Sequence, residues 1–506
     1  KNFLITDPVR QQYPWRQLAA DALKNKQLPF WNPYNFAGTP LLANFQSAGF
    51  YPLNILFFIL PFNLAWGWLI ALQPLLAGIF LFLYLRELRL GRASSLLGAL
   101  AFSFSGFFIA WLEWGTILHS ALWLPLILLS VEKIFSSANN SKFSIWGGIF
   151  VFALCASLFA GHLQTFFYVF LFSFIYLLWK LRQFKGDRFK LSLLLVIGYL
   201  LFVAISSIQW RPPLEFINLS ARNIDQVDWQ IPGWFIPWQN LVQFLAPDFF
   251  GNPTTLNYWG IWNYGEFSGY IGVIPLLLAL LAVFRRPKGV VGFFAVLGLL
   301  ALTFALPTPW AKLPYWLKLP LISTSQPTRL LLIVDFCLAV LAAFGLEKLL
   351  AQKVKFKPAL FLVFGFGLLW LGVLLLPKIA SELSANLAIS QRNLILPTAI
   401  LAGGLVVLGL IKIRRIPQKL ILGLLFGLVC FDLIRFGWKF TPFTKQEWIF
   451  PPTEVISFLK KDKTVFRFMS TDRRIFPPNF SAVYGLQTVD GYDPLYLQRY
   501  GELMAA

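Results

Sequence analysis

A chain of 506 residues that is 58% hydrophobic, 18% aromatic and only 13% charged is far more apolar than an ordinary soluble domain, which excludes the soluble globular and disordered classes. The net charge of +21 could suit nucleic acid. The basic residues, however, are sorted by loop rather than gathered into one aromatic-interleaved patch, so no nucleic-acid partner is expected.

In chain order, the first element is a polar stretch, Asp7-Pro8-Val9-Arg10-Gln11-Gln12-Tyr13-Pro14-Trp15-Arg16, leading into a short helix over 15–25. Prolines, Asn and Gly in Pro29-Phe30-Trp31-Asn32-Pro33 and Gly38-Thr39-Pro40 predict a turn-rich loop. The apolar run Leu53-Asn54-Ile55-Leu56-Phe57-Phe58-Ile59-Leu60 is too short to cross a hydrocarbon core of ~30 Å and reads as an interfacial or re-entrant segment. Twelve longer apolar runs follow, at 64–85, 94–112, 116–131, 145–160, 163–179, 191–210, 269–284, 289–306, 330–346, 358–377, 394–411 and 418–434. Each is long enough, or nearly so, to span as a helix.

The loops between these runs alternate in charge. Those at 86–93, 132–144, 180–190, 285–288, 347–357 and 412–419 carry 21 Lys and Arg in 55 residues; the alternate loops at 113–115, 161–162, 211–268, 307–329 and 378–393 carry 7. By the positive-inside rule the first set is cytoplasmic and the second external, which puts residues 1–52 and everything after 435 outside. An external start at Lys1 without a signal peptide predicts a further span ahead of this sequence. The expected division is 1–63 as an external first loop, 64–210 as the first half of the bundle, 211–268 as a long external loop, 269–434 as the second half, and 435–506 as an external mixed α/β domain cut short at Ala506. In that last part, Pro451-Pro452 open a helix over 453–461 and Val465 to Met469 read as a strand. Cys155, Cys337 and Cys430 all lie in apolar runs, so neither a disulfide framework nor a thiolate metal site is expected.

Ionisable residues near membrane depth are costly and earn a functional reading. Asp7, Glu113, His119 and His162 all fall on the external side in this topology. The long loop adds Glu215, Arg222 and Glu266, and Arg329 ends the next external loop. An arginine at an outer membrane surface suits phosphate, because its guanidinium offers a charged bidentate fork. No Walker loop, paired zinc-binding histidines or Ser-His-Asp spacing is visible.

These residues resemble the YfhO-like family of bacterial membrane proteins, which belongs with the GT-C type of polytopic glycosyltransferases. The resemblance rests on Asp7 with Gln12-Tyr13-Pro14, Trp31-Asn32-Pro33 with Gly38-Thr39-Pro40, and Gly161-His162-Leu163-Gln164. It also rests on Gln209 to Glu215 with Ser220 and Arg222, and on Gly491-Tyr492-Asp493-Pro494 with Arg499-Tyr500. Leu163 departs from it, standing where proline is expected.

The resemblance implies an all-α GT-C-like bundle in the plasma membrane of a bacterial cell. It implies an enzyme moving a sugar from a polyprenyl-phosphate-linked donor to an extracytoplasmic acceptor, such as a lipoteichoic or other teichoic acid or another cell-surface glycan, with a separate enzyme making the lipid-linked sugar. Asp7 matches the first-loop carboxylate that acts as base. Arg10, Gln12, Tyr13, Arg222 and Arg329 are candidates for donor phosphate or sugar. Glu113, His119, His162, Gln164, Glu215 and Glu266 are candidates for the acceptor or for support. No cofactor is expected, with a divalent metal left open. A lipid-linked or small-solute transporter or flippase is the alternative, since twelve spans and a polar outer vestibule also describe carriers; a structural envelope scaffold is a third reading.

Overall fold

The computed structural model describes residues 7–137, 142–221, 228–284, 287–319, 322–351, 357–410, 416–440 and 444–506. Hydrocarbon offers no partners to backbone N–H and C=O groups, so an apolar chain at membrane depth satisfies them within itself by forming a helix. Each of the twelve apolar runs is helical. Among the described residues nine helices are long and apolar enough to cross a membrane: Phe62–Glu87, Arg92–Ala110, Ile117–Ser136, Leu163–Gln183, Arg188–Leu219, Pro327–Leu350, Lys357–Ile379, Ser381–Leu410 and Gln418–Gly437. A tenth span would join Gly289–Ala305 to Pro309–Trp316 through a bend of 62°, and the remaining two runs form the shorter apolar helices Ser144–Phe159 and Val273–Val283.

The chain divides into two compact units, one made of Lys1–Gln73, Glu113–Gln226 and Phe443–Ala506, the other of Pro74–Leu112 and Val227–Pro442. In the first, Ile117–Ser136 is the central helix, with 83% of its apolar window buried against 22% for Arg188–Leu219. In the second, Pro327–Leu350 at 78% and Arg92–Ala110 at 72% form the interior, and Lys357–Ile379 at 22% is peripheral. Gly345 allows the closest approach there: a Cβ at that position would lie 1.9 Å from the Leu278 carbonyl oxygen. With no hydrophobic effect to drive helix association in lipid, such small-residue contacts do much of the work.

In the first unit, a π-helical turn Pro8–Gln12 runs directly into the helix Tyr13–Lys24. The turn-rich loop closes with a two-residue antiparallel ladder pairing Trp31 with Pro40 and Asn32 with Thr39. Gly38, at φ +118°, makes the turn possible, since any Cβ there would meet the Trp31 ring at 2.5 Å. The run 53–60 is two short pieces, Pro52–Ile55 and Leu56–Ile59. Phe57 is buried with Ala20, Ala65 and Leu69, whereas Ile55, Phe58 and Ile59 are exposed.

The carboxy-terminal segment belongs to this unit and is stitched to the turn-rich loop. Tyr34 O accepts from Ser481 Oγ at 3.0 Å and Thr488 Oγ1 at 2.9 Å, while Phe36 N and Ala37 N donate to Asp490 O and Thr488 O at 3.1 and 2.9 Å. The expected helix is present at Glu454–Leu459, capped by Thr453 Oγ1, which accepts from Ile456 N at 3.3 Å.

Two local expectations differ from the structure. The strand over 465–469 reduces to one isolated bridge between Phe468 and Thr488. Alternating side chains cannot make a strand without a neighbour for the ladder, and Val465 is 91% exposed. Among its described residues the carboxy-terminal segment is therefore short helices and irregular chain around Ile456, Phe476 and Leu486, not a mixed α/β domain. The helix starting at Arg188 continues through Pro212 and Pro213 to Leu219, so the first residues of 211–268 are helical rather than loop.

Candidate functional site

Asp7 stands at the N-cap position of the π-helical turn with Pro8 following it, but its own φ and ψ, −53° and −38°, are helical and its side chain caps nothing. A capping carboxylate needs an extended backbone to fold back onto the first N–H groups. Freed from that duty, the Asp7 carboxylate lies beside Tyr492 and in the field of Arg10. Burial raises its pKa from the ordinary carboxylate value, and the Arg10 charge and the Tyr492 hydrogen bond pull the other way. The Arg10 guanidinium lies over the Tyr492 ring, 4.7 Å from its centroid. Gln11 Nε2 donates to Tyr492 O at 3.2 Å.

One turn further, the same helix clamps the turn that carries Glu113. Gln12 Oε1 accepts from Gly115 N at 2.8 Å and its Nε2 reaches Thr116 Oγ1 at 3.5 Å, while the Arg16 guanidinium donates to Gly115 O. Residues 12 and 16 lie on one helix face, so both polar groups of a single glycine can be held from successive turns. Arg16 is 1% exposed, lies 5.8 Å from the Trp66 ring centroid, and burial lowers its pKa to about 10. Tyr13 packs against Phe62 and Phe450 with ring centroids 4.7 and 4.9 Å away, and its hydroxyl donates to Asn63 Oδ1. His119 is fully buried, with Nδ1 at 2.8 Å from the Tyr51 hydroxyl.

Burial pushes the Glu113 carboxyl from 4.5 up to about 6. The native state therefore holds that proton more tightly than the unfolded chain. The group favours folding fully below pH ~4.5, and that contribution is lost as pH rises through the folded value. Glu113→Gln should accordingly raise the unfolding temperature at neutral pH, with the gain shrinking toward zero as the pH is lowered to the ordinary carboxylate range. Thermal unfolding of both proteins across pH in one detergent checks this; a gain that does not vary with pH would contradict it.

His162 caps the helix Leu163–Gln183: its Nδ1 accepts from Thr165 N at 3.1 Å. Gln164 Nε2 donates to the Tyr168 hydroxyl at 3.0 Å. Glu215 is exposed on the continued Arg188–Leu219 helix, and Arg222 lies outside the described residues.

The second unit holds Glu266 and Arg329. Glu266, 6% exposed, follows Asn263, whose side chain accepts from Gly265 N at 3.1 Å and starts the 3₁₀ turn Tyr264–Phe267. One carboxylate oxygen of Glu266 accepts from Thr328 Oγ1 at 2.6 Å and the other from Arg329 at 3.4 Å. The Arg329 guanidinium also lies 5.1 Å from the Trp111 ring centroid. A carboxylate on one side and an aromatic face on the other hold a guanidinium in one plane. A separate buried group, Asp248, pairs with Lys439 at 2.5 Å and accepts from Asn252 Nδ2 and the Tyr264 hydroxyl at 2.7 and 3.1 Å; it ties the long loop to the end of the last helix. Among the described residues no group of three or more His, Cys, Asp or Glu side chains could hold a metal ion.

The first unit thus sets Arg10 and Tyr492 beside Asp7 and holds the turn that carries Glu113 from Gln12 and Arg16, with His119 on Tyr51; the second brings together Glu266 and Arg329. Reading the sequence missed Arg16, Tyr51 and the contact of Tyr492 with Asp7. Arg16 had one available signal, its i+4 spacing from Gln12.

A multi-pass helical membrane protein with a GT-C-like bundle is the class that this architecture defines. The chain belongs to the family described as bacterial membrane protein YfhO, whose model matches residues 39–461; Asp7 precedes the matched range and Tyr492 follows it. ArnT from Cupriavidus metallidurans in the apo state shares the fold, with a TM-score of 0.50 at 13% identity over 96% of this chain and 84% of that one. The structure of the same protein bound to undecaprenyl phosphate gives 0.49 at 13% identity, over 98% and 83%. No curated protein matches the chain.

Proposed function

We propose that this protein is a membrane glycosyltransferase of the GT-C type that moves a sugar from a polyprenyl-phosphate-linked donor to an acceptor outside the cytoplasm, a teichoic acid or another cell-surface glycan. Family membership and the fold support the enzyme class. The observation that carries the reading is Asp7: a carboxyl in the first loop, its pKa raised by burial, free of any capping bond and set beside Arg10. A general base works best when its pKa approaches the working pH.

In the proposed reaction the acceptor hydroxyl oxygen attacks the anomeric carbon, its proton passes to Asp7, and the bond from that carbon to the phosphate oxygen breaks, leaving polyprenyl phosphate with the electron pair. Arg10, Arg222 or Arg329 is the proposed contact for the phosphate, where charge grows as the bond breaks and a preorganised donor contributes most. Glu113 is the proposed acceptor contact. Gln12 and Tyr13 are further proposed contacts for the donor, and His119, His162, Gln164, Glu215 and Glu266 are proposed for the acceptor or for support. Loop charge supports an extracytoplasmic orientation for this chemistry.

Lipid extracts from cells lacking the protein should accumulate a polyprenyl-phosphate sugar, and purified protein supplied with that lipid and its acceptor should release polyprenyl phosphate. Solute flux in liposomes without turnover of any lipid-linked sugar would overturn the assignment in favour of a carrier.

A further inference from the structure

We infer that Tyr492, from the carboxy-terminal segment, is a positioning residue of the Asp7 site, its hydroxyl orienting the Asp7 carboxylate and its ring face holding the Arg10 guanidinium. The inference rests on the proposed role of Asp7.

Tyr492 is itself fixed by its backbone. Its N–H donates to Asn479 Oδ1 at 3.0 Å, and its carbonyl accepts from Asn479 Nδ2 at 2.7 Å and from Gln11 Nε2 at 3.2 Å. Three bonds to the main chain on both sides of one residue leave the phenol on a rigid mount. Asn479 can do this because it takes up φ +70°, a left-handed conformation that Asn tolerates better than most residues. The neighbouring Asp493 points elsewhere, its Oδ2 accepting from Asn44 Nδ2 at 2.7 Å, and Gly491 leaves room for the Phe36 ring, which a Cβ would meet at 2.5 Å.

The phenol then does two things at once. In the inferred arrangement its O–H donates to the carboxylate, and such a bond favours the ionised form that can take a proton. Its ring attracts the Arg10 cation, at 4.7 Å from the centroid. Among the described residues, Arg10, from the same helical turn as Asp7, and Tyr492, from the segment packed against it, act on the Asp7 charge. The tyrosine therefore sets both the orientation of the proposed base and its spacing from the nearest cation. A carboxylate held only by its own chain would turn freely; holding reacting groups in one geometry is a large part of rate enhancement.

The test uses the full chain in detergent, with a polyprenyl-phosphate-linked sugar as donor and the pH dependence of kcat/KM as readout. Tyr492→Phe keeps the ring and every backbone bond and removes only the hydroxyl. Its acid limb should move to higher pH, with activity above that limb within a few-fold of the parent. Tyr492→Leu also loses the ring, and should lower kcat/KM a further ~10-fold at every pH as Arg10 loses its seat. Neither substitution should change the pH dependence of thermal unfolding when Asp7 is already Asn, because the phenol then has no carboxylate to act on.

An acid limb unmoved in Tyr492→Phe, in a protein whose Asp7→Asn form is inactive, overturns this inference alone. A fully active Asp7→Asn form overturns the proposed base instead. A thermal-unfolding profile that shifts equally with and without Asp7 also counts against the inference, by reducing Tyr492 to a packing residue.

Discussion

Asn in place of Asp7 should abolish sugar transfer, lowering kcat by ~10³-fold or more, while expression is kept and the unfolding temperature at neutral pH is no lower than that of the parent. The size follows from removing a general base, which contributes ~10²–10⁴ in rate. The mildness toward the fold follows from the geometry: the side chain caps no helix, and Asn can still accept from the Tyr492 hydroxyl. Burial raises the Asp7 pKa, so the parent should lose activity as the pH falls through that raised value, where the base takes up a proton it cannot then accept from the acceptor. Release of polyprenyl phosphate from a lipid-linked sugar, followed against pH, measures both effects. Full activity of the Asn form would remove Asp7 from the chemistry.

Replacing Arg329 with Lys should raise the donor KM by ~10-fold, and replacing it with Gln by ~10²-fold with a further loss in kcat, on the scale seen when one preorganised charge donor is lost. Lysine keeps the positive charge beside Glu266, so the fold should be preserved, but it has no planar fork for a phosphate and no flat face to lie over Trp111. Glutamine also leaves Glu266, 6% exposed, without its cation, and should cost stability of several kcal/mol. Glu266→Gln in the same chain should restore much of the unfolding temperature without restoring the donor KM. Steady-state kinetics and thermal unfolding of the three variants separate the two losses. An unchanged donor KM in both single variants would eliminate Arg329 as a phosphate contact.

The two halves of this reading were not equally visible in the chain. Every apolar run became a helix because the demand for satisfied backbone groups in hydrocarbon is local and needs no knowledge of neighbours. Strand formation has no such autonomy: Val465 to Met469 reads as a strand, yet without a facing partner only Phe468 makes a bridge. The apolar run ends at 210, but the helix goes on through the tandem prolines at 212 and 213, which a helix can absorb near its end, and Pro213 is buried within Arg188–Leu219. In the sequence Arg16 is only the end of the polar stretch that begins at Asp7. It is almost wholly buried because Gly115, far along the chain, offers it a carbonyl.

Composition, loop charge and motif content by themselves determined a polytopic helical membrane protein, the placement of its twelve apolar helices, and Asp7 as the carboxylate to examine. These are properties of single segments, dictated by the solvent each segment meets. Tertiary structure alone decided what surrounds that carboxylate: Tyr492, whose carbonyl is reached by Gln11 across 481 residues, and the clamp of Gln12 and Arg16 on the Glu113 turn. It alone decided that Glu266, Thr328 and Trp111 hold Arg329. Such contacts depend on which segments the folded chain brings within a hydrogen bond of one another, and no local period or charge count carries that information.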